Sequence, residues 1–154
     1  MAIERVIEYF EKQGCAHKIK QFDVSSATVE LAAQALGCEG ARIAKTLSFL
    51  VDNTAVLIVT AGDMKIDNPK FKAFFHTKAK MLSPEQVDEM IGHSIGGVCP
   101  FAVNEGCKIY LDESLKRFEI VYPAAGNAQS AVELTPDELE KYSGSLGWID
   151  VCKA

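Results

Sequence analysis

The chain lacks the marks of several large functional classes. Its five cysteines (Cys15, Cys38, Cys99, Cys107 and Cys152) contain no CxxC pair. An odd number of dispersed thiols argues against a disulfide framework and for a reducing compartment. The three histidines, His17, His76 and His93, are scattered too. No His/Cys set has zinc-ligand spacing, so no metal or other cofactor is expected. No apolar run is long enough to span a bilayer. The opening stretch MAIERVIEYFEKQG lacks the apolar centre and cleavage site of a signal peptide. A soluble, cytoplasmic protein with no membrane partner is the expectation. The formal net charge is −5, without the basic surplus of a DNA-binding surface, so DNA is not an expected partner. Repeats, low-complexity linkers and room for a second core are also missing, and residues 1–154 read as one domain.

What is present is a series of short, well-punctuated elements. Ile3, Val6, Ile7 and Phe10 recur at helical spacing before Gly14, and ATVELAAQALG is a second helix closed by Gly37. HKIKQF alternates as a short strand. Arg42–Val51 and TAVLIVT read as two strands joined at Asp52–Asn53, a hairpin. NPKFKAFFH reads as a helix starting after Asn68 with Pro69 at its first position. SPEQVDEMIG and TPDELEKYSG each carry a capping box, Ser83 with Gln86 and Thr135 with Glu138, and each ends at a glycine, Gly92 or Gly144. CKIYLD, FEIVYP, SAVELT and WIDVC are further short strands. Without regular βαβ spacing, this order predicts an α+β fold with a central mixed, mostly antiparallel, curved and barrel-like sheet and helices around it.

Strand parity makes Lys45 the most informative residue. Period two puts it in the row Ile43, Lys45, Leu47, Phe49 and Val51, while Ala44, Thr46, Ser48 and Leu50 face the other way. An ammonium in an apolar row needs a partner. It is either a structural lysine at a strand end or salt bridge, or one that meets an anionic ligand. The loop GHSIGGVCPF, Gly92 to Phe101, combines permissive Gly96 and Gly97 with the stiffening of Pro100. Such a loop either presents several backbone N–H groups to one oxygen or simply connects two elements. His93 and Cys99 flank it, as a helix cap and a small packed residue or as acid/base and nucleophile. In YPAAGNAQSAVEL, Ala124 and Gly126 leave room for a ligand and Asn127 offers hydrogen bonds, or the stretch is only a turn. MKIDNPKFKAFFHTKAKM, Met64 to Met81, interleaves five lysines with phenylalanines, either a solvated helix face or a local basic patch.

Taken in order, AKTL, GGVCPF, YPAAG…VEL and TPDELEKYSG resemble the YbaK/EbsC family, related to the editing domain inserted in bacterial prolyl-tRNA synthetases. The resemblance runs from about Ile3 to Val151. It implies hydrolysis of an aminoacyl-tRNA that carries the wrong small amino acid, often on proline tRNA. The acceptor end of aminoacyl-tRNA is then the partner, with a synthetase as a further one. The resemblance matches Lys45, Gly96 and Gly126 to family positions, and with the loop backbone read as an oxyanion hole Lys45, Gly96 and Gly97 are the expected catalytic residues. Lys45 lies near the terminal adenosine and its phosphate, and the glycine backbone positions the aminoacyl carbonyl. Thr46, His93, Val98, Cys99, Pro100, Ala124, Gly126 and Asn127 are the expected substrate contacts, Gly126 as the family's pocket-bordering turn and the others as neighbours of the lysine, the loop and the hairpin. The nucleophile is water or the substrate's own hydroxyl or thiol, consistent with the missing Ser–His–Asp set. The cysteine-editing branch carries a serine and an aspartate where this chain has Ala124 and Ala131, and a tyrosine near Phe22. A small uncharged amino acid such as alanine or serine is the expected cargo. Two rivals are a non-catalytic binder of tRNA ends or nucleotides and a thiol hydrolase using Cys99.

Overall fold

The computed structural model describes residues 2–154. Its longest ladder is the antiparallel pair β2 (Ile43–Val51) and β3 (Thr54–Ala61), in register from Ala44↔Ala61 to Val51↔Thr54. The joining residues, Asp52 (φ +50°) and Asn53 (φ +61°), both adopt the left-handed conformation a two-residue type I′ turn requires. Asn and Asp tolerate that region because their short polar side chains bond locally. Around this hairpin lie β5 (Lys108–Asp112), β6 (Tyr122–Pro123) and β8 (Trp148–Ile149), in the order β6-β2-β3-β5-β8. These outer strands join in parallel, as their long connections demand. The sheet is mixed, as expected, but three of its four pairings are parallel where most were expected to be antiparallel, because only β2 and β3 are joined by a tight turn; its two edges do not pair with each other.

The segment read as a YP…VEL hairpin pairs only at its base. Val121 and Leu134 exchange both backbone hydrogen bonds, at 2.8 and 3.1 Å. Beyond them the two arms splay. Tyr122–Pro123 joins β2, while β7 (Ser130–Val132) joins β1 (Ile19–Gln21) antiparallel. Pro123 has no N–H to continue a ladder, and Ser130 and Ala131 take Gln21 and Lys20 as partners instead. The single bridge Val121↔Leu134 therefore carries the sheet on to a second, two-stranded ladder, and a third joins β4 (Lys65–Ile66) antiparallel to β9 (Cys152–Lys153).

Two helices differ locally from the sequence reading. In α3 (Asn68–Phe75) the cap is Asp67, whose carboxylate accepts from Lys70 N–H at 3.1 Å, so Pro69 is the second helical residue. Asp67 stands three residues before Lys70, the N-cap to N3 spacing, and its charged oxygen also suits the positive end of the helix. After Ser83, the capping box forms as expected, but only one α-turn (α4, Pro84–Gln86) follows. Val87–Ile91 then widens to a π-turn, and Gly92 (φ +90°) closes it. The capping box of Thr135 and Glu138 opens α5 (Pro136–Ser143), and Gly144 ends it. Helices α1 (Ala2–Lys12) and α2 (Val29–Leu36) match their patterns, the latter ending at Gly37 with φ +69°. Among the described residues no helix is long and apolar enough to cross a membrane.

The two faces of β2 have opposite fates. Phe49 and Val51 pack with Val56, Ile58 and Phe71 of α3, and the Phe49 and Phe71 ring centroids lie 4.9 Å apart. On the other face, Ala44 with Val59 and Ala61 belongs to a core under Val6 and Phe10 of α1. Further along, Ala55 and Leu57 pack under Leu82, Val87 and Ile91. Thr46 and Ser48 lie between these two clusters, where neither closes over the sheet.

Candidate aminoacyl-ester cleft

That gap is the floor of a cleft of about 320 Å³. Ala44, Thr46 and Ser48 of β2 form the floor, and Lys45 contributes to its edge. One wall is the linker Ser26–Thr28 with Val29 and Ala32 of α2, and another is Ile95, Gly96 and Val98 of the glycine loop. The splayed arms supply Tyr122, Ala124, Ser130 and Ala131, and Met81, Leu82 and Val87 close the far side. The cleft exists because the arms diverge after Val121. A continuous hairpin would have put paired backbone where the opening lies.

Three segments remote in sequence hold these walls together. Ser26 N–H donates to Ala128 O at 2.6 Å, and Ser130 N–H donates to Ser26 Oγ at 3.1 Å. Within the 125–130 turn, Gln129 N–H meets Asn127 Oδ1 at 3.0 Å and Ala125 N–H meets Ser130 Oγ at 3.2 Å. The glycine loop then packs on that turn. A Cβ on Gly97 would lie 2.4 Å from Asn127 Cα, and one on Gly96 would touch Ala27 and Ala128 at 3.4 and 3.5 Å. Arg5 of α1 anchors the other end of the loop by donating to the Gly92 carbonyl.

Of the residues expected at the site, Lys45, Thr46, Gly96, Val98 and Ala124 do line the cleft. Lys45 shares the face of Phe49 and Val51, as parity predicts. Its ammonium donates to the Met64 carbonyl, in a turn that the Asp63–Arg117 pair pins at 2.6 Å. That pairing, chiefly the hydrogen bond from Arg117, holds the Asp63 carboxyl below its ordinary range. Gly96 takes φ +94° as the third residue of a turn in which Gly97 N–H donates to Ser94 O at 3.0 Å, the geometry of a type II turn. Gly97 N–H is thus engaged inside the loop and is no oxyanion donor. The N–H groups of Gly96 and Val98 meet no protein acceptor among the described residues, which makes them the available donors.

Five expected contacts do not reach the cleft. Gly126 (φ +104°) backs onto Ala2 of α1, and Asn127 is the surface on which Gly97 packs. Pro100 is buried beyond the loop. His93 and Cys99 are 1% and 0% exposed and lie beneath the loop, not in its wall. His93 Nε2–H donates to the Phe101 carbonyl at 2.8 Å, and Cys99 Sγ sits 3.5 Å from the same nitrogen. A carbonyl only accepts, so Nε2 carries the proton, and the thiol faces N–H instead of a lone pair. Burial pushes the Cys99 thiol up to about 12 and the His93 imidazole below its ordinary value. Both remain neutral at pH 7, and no thiolate–imidazolium pair forms. The cleft residues that sequence reasoning missed are Ser26, Thr28, Ser48, Ser130, Tyr122 and the segment Met81–Leu82. Parity alone would have found Ser48, which shares the face of Thr46. Thr46 Oγ1 is buried without a hydrogen-bond partner, an unusual state for a hydroxyl.

Residues 23–142 match the model of the aminoacyl-tRNA editing domain. The chain belongs to that family. It is 50% identical over 154 residues to the uncharacterized protein YwhH of Bacillus subtilis (strain 168), covering 99% of this chain and 98% of that one. It is 28% identical over 153 residues to a proline–tRNA ligase of Leuconostoc citreum (strain KM20), covering 89% of this chain and 26% of the ligase. Among solved structures, one described as a candidate trans-editing enzyme for prolyl tRNA synthetase superposes with a TM-score of 0.89. That pair is 31% identical, with 99% and 98% of the two chains covered. The editing-domain family acts on aminoacyl-tRNA, and the fold seen here is that of its structural relative.

Proposed function

We propose that this protein is a free-standing deacylase that hydrolyses the ester of a mischarged tRNA carrying a small uncharged amino acid, with proline tRNA the first carrier to test. The observation that carries this reading is the cleft itself. It is small, walled by Ala32, Ala124, Ala131 and Val98, floored by Thr46 and Ser48, and edged by Gly96 and Lys45. Ala124 and Ala131 leave no charged or acidic group to select a larger or thiol-bearing side chain.

The chemistry then needs little more than placement. Water adds through its oxygen to the ester carbonyl carbon, the bond to the ribose oxygen breaks, and that oxygen leaves with a proton. Negative charge grows on the carbonyl oxygen, where the N–H groups of Gly96 and Val98 are free to donate. Lys45, released from the Met64 carbonyl, reaches the anionic RNA end. An aminoacyl ester is already activated, so orientation and charge stabilisation suffice without a protein nucleophile. Deacylation of a panel of mischarged tRNAs tests this. Turnover of alanyl- or seryl-tRNA with sparing of the correctly charged tRNA is expected, and turnover of none would end the reading.

One observation favours a second reading, a binder of tRNA ends without hydrolysis: the Lys45 ammonium already has a backbone partner. Tight binding to every member of the panel, with turnover of none, would select it.

A further inference from the structure

The lysines of this acidic chain are not evenly spread. Between Lys65 and Lys80 there are five lysines and one acid, Asp67, and that acid is engaged in capping α3. Elsewhere Lys12 pairs with Glu8, Lys18 with Glu138 and Lys116 with Glu113, and the exposed Lys20, Lys108, Lys141 and Lys153 form no ion pair among the described residues but each have an acid within three residues in the sequence. Within the segment Lys70 is paired with Asp150. Lys72, Lys78 and Lys80 are exposed and meet no carboxylate among the described residues. Lys72, Lys78 and Lys80 have no acid within four residues on either side, so their charge is not offset locally.

These three charges are also held in place. The Phe71 ring fixes α3 to the sheet through Phe49. The stretch after it runs extended along β2, with Leu50 N–H donating to Lys80 O at 2.8 Å and Leu82 N–H donating to Ser48 O at 3.1 Å. Lys72 and Lys78 border an open hollow with Asn68, Pro69 and Ala79. Two residues past Ala79, Met81 is 58% exposed and lines the ester cleft. At 3.3 Å per extended residue, Lys78 to Met81 spans about 10 Å, which puts the mouth of the cleft within a few nucleotides of these charges.

We propose that Lys72, Lys78 and Lys80 form a track for the phosphates of the tRNA acceptor arm, leading its 3′ end past Met81 into the cleft. The proposal rests on the deacylase reading for what enters the cleft, but the track itself is tested by binding. The probe is an uncharged, fluorescent RNA hairpin ending in single-stranded CCA, titrated between 50 and 200 mM salt. The triple variant K72A/K78A/K80A should bind at least about tenfold more weakly at low salt. It should also lose about two to three from the slope of log affinity against log salt, close to one per phosphate contact removed. A control triple drawn from α1, β5 and α5, K12A/K108A/K141A, should change binding less than about twofold. Equal losses in the two triples, or none in the first, overturn the track; the latter is also the result if the lysines serve an acidic protein surface. Hydrolysis of alanyl-adenosine, too short to reach the lysines, separates the two readings. Wild-type rates on it in K72A/K78A/K80A, with slowed turnover of sub-saturating mischarged tRNA, support both. Hairpin binding through the lysines with no turnover of any ester by wild type sinks the deacylase and leaves the track. Turnover of mischarged tRNA at an undiminished rate by the variant does the reverse.

Discussion

The surface of the cleft and the layer directly beneath its loop contrast in what they are made of. The surface is built of small, chemically quiet residues: Gly96, Ala124, Ala131, Thr46 and Ser48. The layer beneath holds Cys99 and His93, the residue types that ordinarily carry nucleophilic and acid/base chemistry, buried and bonded to the Phe101 carbonyl. The difference teaches that the side chains of ordinary reactive type do not line the cleft proposed for the reaction. Below the loop they serve as packing, with their titration suppressed. In the cleft, shape and unengaged backbone donors are what the proposed hydrolysis of an activated ester would use.

The hardest blow to this contrast would come from Lys45, the one charged side chain lining the cleft among the described residues. Lys45→Ala should lower kcat/KM on mischarged tRNA by about a hundredfold or more, the scale seen when one transition-state donor is lost, with the circular dichroism spectrum unchanged. Normal turnover would remove Lys45 from the mechanism.

Gly97 joins the two layers, so Gly97→Ala should cost about 2–3 kcal/mol, roughly 5–10 °C in thermal midpoint. Its new Cβ would sit against Asn127 backbone, and one of the two chains must move. Gly96→Ala is the milder test, because space exists for its Cβ beside Ala27 and Ala128. The cost there is the φ of +94°, about 1–3 kcal/mol of backbone strain. Re-aiming its N–H should lower kcat several-fold with KM little changed. A larger thermal loss in Gly96→Ala than in Gly97→Ala would contradict the packing described.

Cys99→Ala should leave deacylation within about twofold of wild type, since a thiol held neutral cannot attack. Activity lost in that variant while the fold persists would revive a thiol mechanism and dissolve the contrast. The smallest effect lies in the pH dependence of stability. Cys99 is raised to about 12, so above about pH 9 the unfolded chain ionises it and the folded chain does not. Stability falls as pH rises from there. His93 is lowered, so its penalty appears only as pH drops below about 6.5, its ordinary value. Thermal midpoints measured across this range should show a plateau between the two limits, with the alkaline fall reduced in Cys99→Ala.

How much of this was legible in the chain depended on how far apart the deciding atoms lie in sequence. Capping boxes at Ser83/Gln86 and Thr135/Glu138, the stops at Gly37 and Gly144 and the turn at Asp52–Asn53 are written within four residues. The sequence by itself determined these, along with the parity that sets Lys45 apart from Thr46. Tertiary structure alone decided that the arms after Val121 part to open a cleft, because Ser130 and Ala131 pair with strand residues more than a hundred positions earlier. It also decided that Cys99 and His93 lie beneath the loop, since Phe10 of α1 packs edge-on against Phe101, with ring centroids 4.9 Å apart. That contact lies at the far end of the chain, where no local pattern of glycine and proline can announce it.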